Sequence, residues 1–122
     1  MVLEHVMNPA LACKELQRVA KRGFLETPNT FWECFYGHPT HRWVIEWEAA
    51  TRTMVFKRKP FEQIPFHSAI IPLLYTQGDV QRAFEVSFRN LTTTQISWDE
   101  DNPFHVRVED DTEDALYDYL GR

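Results

Sequence analysis

Asn8-Pro9 at one end and Lys21-Arg22-Gly23 at the other bracket a segment that has little choice but to be a helix. The Asn8 side-chain oxygen can accept one of the orphan N–H groups of a first turn, and Pro9 follows where its missing donor costs nothing. Ala12, Cys13, Leu16, Val19 and Ala20 recur at helical spacing as one narrow apolar stripe. Lys21 and Arg22 suit the negative end of the helix dipole, and Gly23 is positioned for a left-handed cap. Phe24, Leu25 and Thr27 then read as a short strand ended by Pro28-Asn29. An αβ unit of this kind needs further strands and a second apolar layer, so the rest of the chain must supply them.

It does so unevenly. Thr30–Thr40 is an aromatic connection (Phe31, Trp32, Phe35, Tyr36) with a helical turn that Gly37 stops. Arg42–Glu48 and Thr53–Lys57 alternate and are joined by Ala49–Arg52, which predicts a hairpin with a four-residue loop. Residues 66–77 are apolar but interrupted by Pro72, which predicts a kinked or split helix. Gly78-Asp79 reads as a stop and a new N-cap; in Val80–Arg89 the residues Val80, Ala83, Phe84 and Phe88 fit a helix and Phe84, Val86 and Phe88 fit a strand, and the cap signal favours helix. Thr93–Trp98 and Phe104–Val108 alternate around Asp99–Pro103, which predicts a second hairpin, and 110–120 reads as a terminal helix. The expected fold is α/β (or α+β), a small mixed sheet with flanking helices in a single domain over 1–122.

The segment VLEHVMNPALACKELQRVAKRGFLETPN, residues 2–29, resembles the middle of a class I S-adenosylmethionine-dependent methyltransferase. In that family a Leu-Glu-His-Val-like stretch follows the fourth strand, a helix ending in Arg-Val-x-Lys-x-Gly leads into the fifth, and Thr-Pro-Asn closes it. Gly37–Trp43 is similar to a Gly-His-x-x-His loop found downstream in some members. The resemblance implies the second half of a Rossmann-like fold, with Glu4, His5 and Glu26 bordering the substrate cleft at the carboxyl edge of the sheet. The ligand-binding candidates are therefore Glu4, His5, Glu26 and Asn29, with His38 and His41 from the second loop; no catalytic residue is assigned. The alternative is that Glu4, His5 and Glu26 only cap and solvate a loop. The family's glycine-rich loop and ribose-binding acid have no counterpart among the 4 glycines and the acids of this chain. The resemblance thus implies a non-catalytic binding or interaction protein that takes no cofactor. The alternative is a methyltransferase active only with a partner chain supplying the cofactor half.

Other constellations are incomplete. Cys34, His38 and His41, with His5 or Cys13 as a fourth ligand, form one half of a zinc motif, so the sequence assigns no metal. Cys34 and His41 as nucleophile and base lack an oxyanion hole and an orienting group. Arg52, Lys57, Arg58 and Lys59 form a basic cluster that suits either an anionic ligand or a solvated edge. The acids of 99–101 and 109–114 lack the spacing of a calcium loop. A net charge of −5 argues against a basic nucleic-acid surface. Two cysteines and the absence of a long apolar run lead to the expectation of a reduced, cytoplasmic chain with no membrane partner. A small molecule or another protein is the expected partner.

An αβ unit without its family neighbours leaves a strand edge and apolar surface uncovered, and Trp32, Phe35, Tyr36, Trp43 and Trp47 add to that surface. The expected outcome is a two-fold homodimer burying roughly 1,200 Å² or more; the alternative is that Thr93–Val108 folds back and covers the edge within one chain. Sedimentation that gives the mass of one chain, unchanged on concentrating, would refute it.

Overall fold

The structure, a computed structural model, describes residues 2–36, 40–59 and 78–109. The expected helices at 66–77 and 110–120 lie outside them. In chain order come a 3-10 turn (Leu3–His5), α1 (Pro9–Val19), β1 (Arg22–Pro28), α2 (Thr30–Tyr36), β2 (Trp43–Glu48) and β3 (Thr53–Arg58). After the undescribed segment follow α3 (Gly78–Ser87), α4 (Arg89–Thr92), β4 (Thr93–Asp99) and β5 (His105–Glu109). The α/β expectation holds, but the strands form two small sheets instead of one. β1 pairs antiparallel with β4, and β2-β3-β5 is a mixed sheet in which β5 runs parallel to β3.

Helix α1 begins as its sequence dictates, with the Asn8 Oδ1 accepting from the Leu11 N–H at 3.1 Å. Its end differs from expectation. Ala20, in extended conformation, caps the helix, and Gly23 lies inside β1. The reason for glycine there is steric. A Cβ at Gly23 would stand 2.7 Å from the Trp98 ring, which the β1/β4 register sets opposite Gly23.

The first hairpin pairs Trp43 with Arg58 and Glu48 with Thr53 around the four-residue loop. Arg52 closes that loop with φ of 49°, a left-handed conformation in a non-glycine residue. Its guanidinium donates to the carbonyls of Ser97, Asn102 and Pro103, and its own carbonyl accepts from the His105 N–H at 2.8 Å.

Those bonds bear on the expected second hairpin, which does not form. Asp99 accepts the N–H groups of Asp101 and Asn102, so the turn itself exists. The strands beside it take different partners, β4 pairing with β1 and β5 with β3. In that arrangement Ile96 and Trp98 of β4 and Val106 of β5 all face one core. A direct β4/β5 hairpin would leave β1 and β3 without those neighbours.

The core joins both sheets to α1: Leu3, Cys13, Trp43, Ile45, Met54, Phe56, Ile96, Trp98 and Phe104 are buried together. Gln17 seals its edge by donating to the Phe104 carbonyl and accepting from the Phe104 N–H. Trp43 is thus core rather than surface, Trp47 lies under the Arg52 guanidinium, and β4 takes one edge of β1. Among the described residues no helix is long and apolar enough to cross a membrane.

Gly23→Ala is expected to cost about 1–3 kcal/mol, because the buried Trp98 ring must move to admit a methyl group. Chemical denaturation should show the loss, and a variant as stable as the parent would mean that Trp98 is not held against β1.

Candidate functional site

The chain's N-terminal turn is pinned to the start of β2 by backbone and side-chain bonds. The Arg42 N–H donates to the Glu4 carbonyl at 2.7 Å, and the Trp43 indole N–H donates to the Val6 carbonyl at 2.6 Å. Leu3 enters the core, which carries the Glu4 side chain inward until it is 1% exposed. His5 stays at the surface, its side chain 44% exposed, with Nδ1 3.0 Å from the Thr40 carbonyl oxygen.

From the other side comes α2. Asn29 is its cap, accepting from the Trp32 N–H at 3.1 Å while its amide donates to the Leu91 carbonyl. This cap fixes the first turn so that Glu33 points inward and is fully buried. Its two oxygens divide their work. Oε1 contacts His41 Nδ1, and Oε2 accepts from the Lys59 ammonium at 2.8 Å.

His41, 8% exposed, stands between the two glutamates. A carbonyl oxygen can only accept, so the His5 Nδ1 beside Thr40 carries a proton. A carboxylate whose other oxygen is held by an ammonium likewise takes the proton of His41 Nδ1. In the neutral rings the lone pairs then sit on Nε2, and both Nε2 atoms face Glu4 Oε1, at 3.6 Å from His5 and 3.9 Å from His41. These separations are too long for hydrogen bonds. They are close to those of ligands on one ion, since atoms about 2.1 Å from a tetrahedral zinc lie about 3.4 Å apart. Glu4, His5 and His41 each offer a ligand atom within 4.8 Å of the others. The second Glu4 oxygen, Oε2, is buried with no hydrogen-bond partner among the described residues.

Three of the residues read from the sequence therefore converge. Glu26 does not join them: it makes a two-point ion pair with Arg89 (2.6 and 2.9 Å) beside a cavity of about 310 Å³ lined by Trp32, Val86, Thr92 and Thr93. That partner pushes the Arg89 pKa up. Asn29 is consumed as a helix cap, and His38 lies outside the described residues, as does the Cys34 side chain. Cys13 is no ligand to this site. It is fully buried in the apolar core, and burial pushes its thiol up to about 12.

Glu33 and Lys59 are the residues that the sequence did not reveal. Glu33 sits in an aromatic run and reads as an ordinary first-turn acid. Lys59 reads as an edge charge, and only the return of the hairpin brings it to Glu33. The sequence sets His41 in the Cys34-His38-His41 run, and nothing in that run points to Glu33 or Lys59. No family model, curated protein or solved structure matches the chain.

Removing Glu33 takes the carboxylate away from the buried His41 and the half-buried Lys59. Glu33→Ala is expected to destabilise the protein by about 3 kcal/mol or more, as breaking a buried ion pair generally does. Denaturant titration checks this, and a loss below about 1 kcal/mol, the range of exposed pairs, would mean the network is solvated.

Proposed function

We propose that this chain is a binding protein for a divalent transition-metal ion, held by Glu4, His5 and His41. The observation that carries the reading is the buried Glu4 carboxylate, its Oε1 3.6 and 3.9 Å from two imidazole Nε2 atoms and its Oε2 without a hydrogen-bond partner among the described residues. A carboxylate out of water needs compensating charge or donors, and a cation at this point supplies the charge. Glu33 behind His41 supports it too, because ligating histidines characteristically donate their other N–H to a carboxylate or carbonyl. Thr40 plays the same part for His5.

Two imidazoles and one carboxylate suit zinc, iron(II), cobalt(II) or nickel(II), and offer too few oxygens for calcium or magnesium. This reading keeps the expectation of a binding protein and reverses the expectation of no metal. The donors that matter are not the Cys34-His38-His41 run but residues brought together from two distant segments. The split-methyltransferase alternative rests on the resemblance of residues 2–29 alone, and assigns Glu4 and His5 to a substrate cleft instead.

Chelator-treated protein titrated with zinc should bind one equivalent and gain thermal stability. At a hundredfold excess over Kd the gain is about 2.7 kcal/mol. Glu4→Gln and His41→Ala should abolish binding, whereas Glu33→Gln should weaken it by roughly 10- to 100-fold by loosening His41. Calorimetry with no saturable heat for the parent protein would end the proposal.

A further inference from the structure

We infer that the metal ion takes an oxyanion, a carboxylate or phosphate group, as its exogenous ligand; this rests on the metal reading above. Three protein donors leave at least one coordination position for a ligand from outside, even at four-coordinate zinc. His5 is the exposed member of the set, so the site opens to solvent on its side.

Charge decides what enters. With carboxylates ionised and the lysine protonated, Glu4 and Glu33 against Lys59 leave the cluster one net negative charge. A divalent ion reverses this to one net positive charge in a largely buried setting, which favours an anion over a neutral ligand.

The surroundings add to it. The hairpin ladder ends at the Trp43–Arg58 pair, and the Lys59 N–H extends it by donating to the Arg42 carbonyl at 2.9 Å. Arg42, Arg58 and Lys59 are thereby gathered at the end of the hairpin where His41 enters. The Arg58 guanidinium lies 5.4 Å over the Trp43 ring, and the same indole holds Val6, next to His5. The exposed Arg42 follows His41 directly in the chain. The opposite hairpin end carries Glu48, whose carboxyl is held below its usual range by Arg107, and Arg52, spent on carbonyls. Lys59 is already paired with Glu33, so the cations at this hairpin end that can attract an oxyanion are Arg42, next to His41 in the chain, and Arg58, over the Trp43 ring.

The test uses the full chain loaded with cobalt(II), whose visible spectrum reports its ligands. Phenyl phosphate and acetate are titrated separately, with chloride as the ionic-strength control. The expected result is a saturable spectral change with at least one oxyanion and none with chloride, the stronger of the two identifying the group. Arg42→Gln and Arg58→Gln should each weaken that affinity by up to about fivefold without altering cobalt affinity. Arg42 is exposed, so its variant remains informative if loss of the Arg58–Trp43 contact impairs folding. Cobalt binding with a spectrum that neither oxyanion moves, or that chloride moves equally, overturns this inference and leaves the metal reading standing. Failure to bind cobalt removes both.

Discussion

One carboxylate ties the molecule together. Glu33 is fully buried and satisfies two cationic or donor groups at once, His41 through one oxygen and Lys59 through the other. Burying an ionised carboxylate costs several kcal/mol, so the position is tolerable only because both oxygens are occupied. The partners lie where the chain enters β2 and where it leaves β3. Through Glu33, α2 therefore grips the open end of the hairpin, and that grip orients the His41 ring. The helix can present Glu33 there because Asn29 caps it and reaches back to Leu91. A capping choice near residue 30 thus propagates to the geometry of a histidine at 41.

The closed end of the same hairpin is held by different physics. Arg52 adopts a left-handed backbone and spends its guanidinium on the Ser97 carbonyl of β4 and the Asn102 and Pro103 carbonyls of the β4–β5 connection. Those carbonyls lie at the end of β4 and in the turn after it, between two strands that never pair with each other. Arg52 supplies the tie that a hairpin would have provided, and its carbonyl begins the parallel pairing of β5 with β3. Ionic bonds at one end and a cation on neutral carbonyls at the other fix β2 and β3 between them. The core residues Trp43, Ile45, Met54 and Phe56 are then held in one register.

What could be read from the sequence follows from how far its signals reach. The Asn8 cap, the four-residue loop at 49–52 and the helix after Gly78 are local, and the structure has each of them. The pairing of β4 with β1 and β5 with β3 depends on which apolar faces share a core. Alternation in Thr93–Trp98 and Phe104–Val108 does not specify that. Gly23 shows the same limit at one residue: its helix-end context suggested a cap, but its partner is a tryptophan at position 98. The site divides in the same way. Glu4, His5 and His41 were conspicuous as residue types, whereas Glu33 and Lys59 acquire meaning only through burial and the hairpin's return. Glu26 and Asn29 were equally conspicuous and are occupied by Arg89 and by the α2 backbone.

The remaining asymmetry concerns unsatisfied groups. Thr27 Oγ1 and Trp98 Nε1 are also buried without hydrogen-bond partners among the described residues. Both are neutral, and each costs on the order of 1–3 kcal/mol. Core packing supplies a sufficient reason for them, since Trp98 fills the space over Gly23 and Thr27 lies within the β1/β4 pairing. Glu4 has no such excuse. A glutamine or leucine of similar size would fill the same space without bringing a charge out of water. Departures of this kind from the most stable choice are expected at functional sites. The two imidazoles opposite Glu4, each with its Nδ1 already committed elsewhere, are what the proposed metal site adds to that carboxylate.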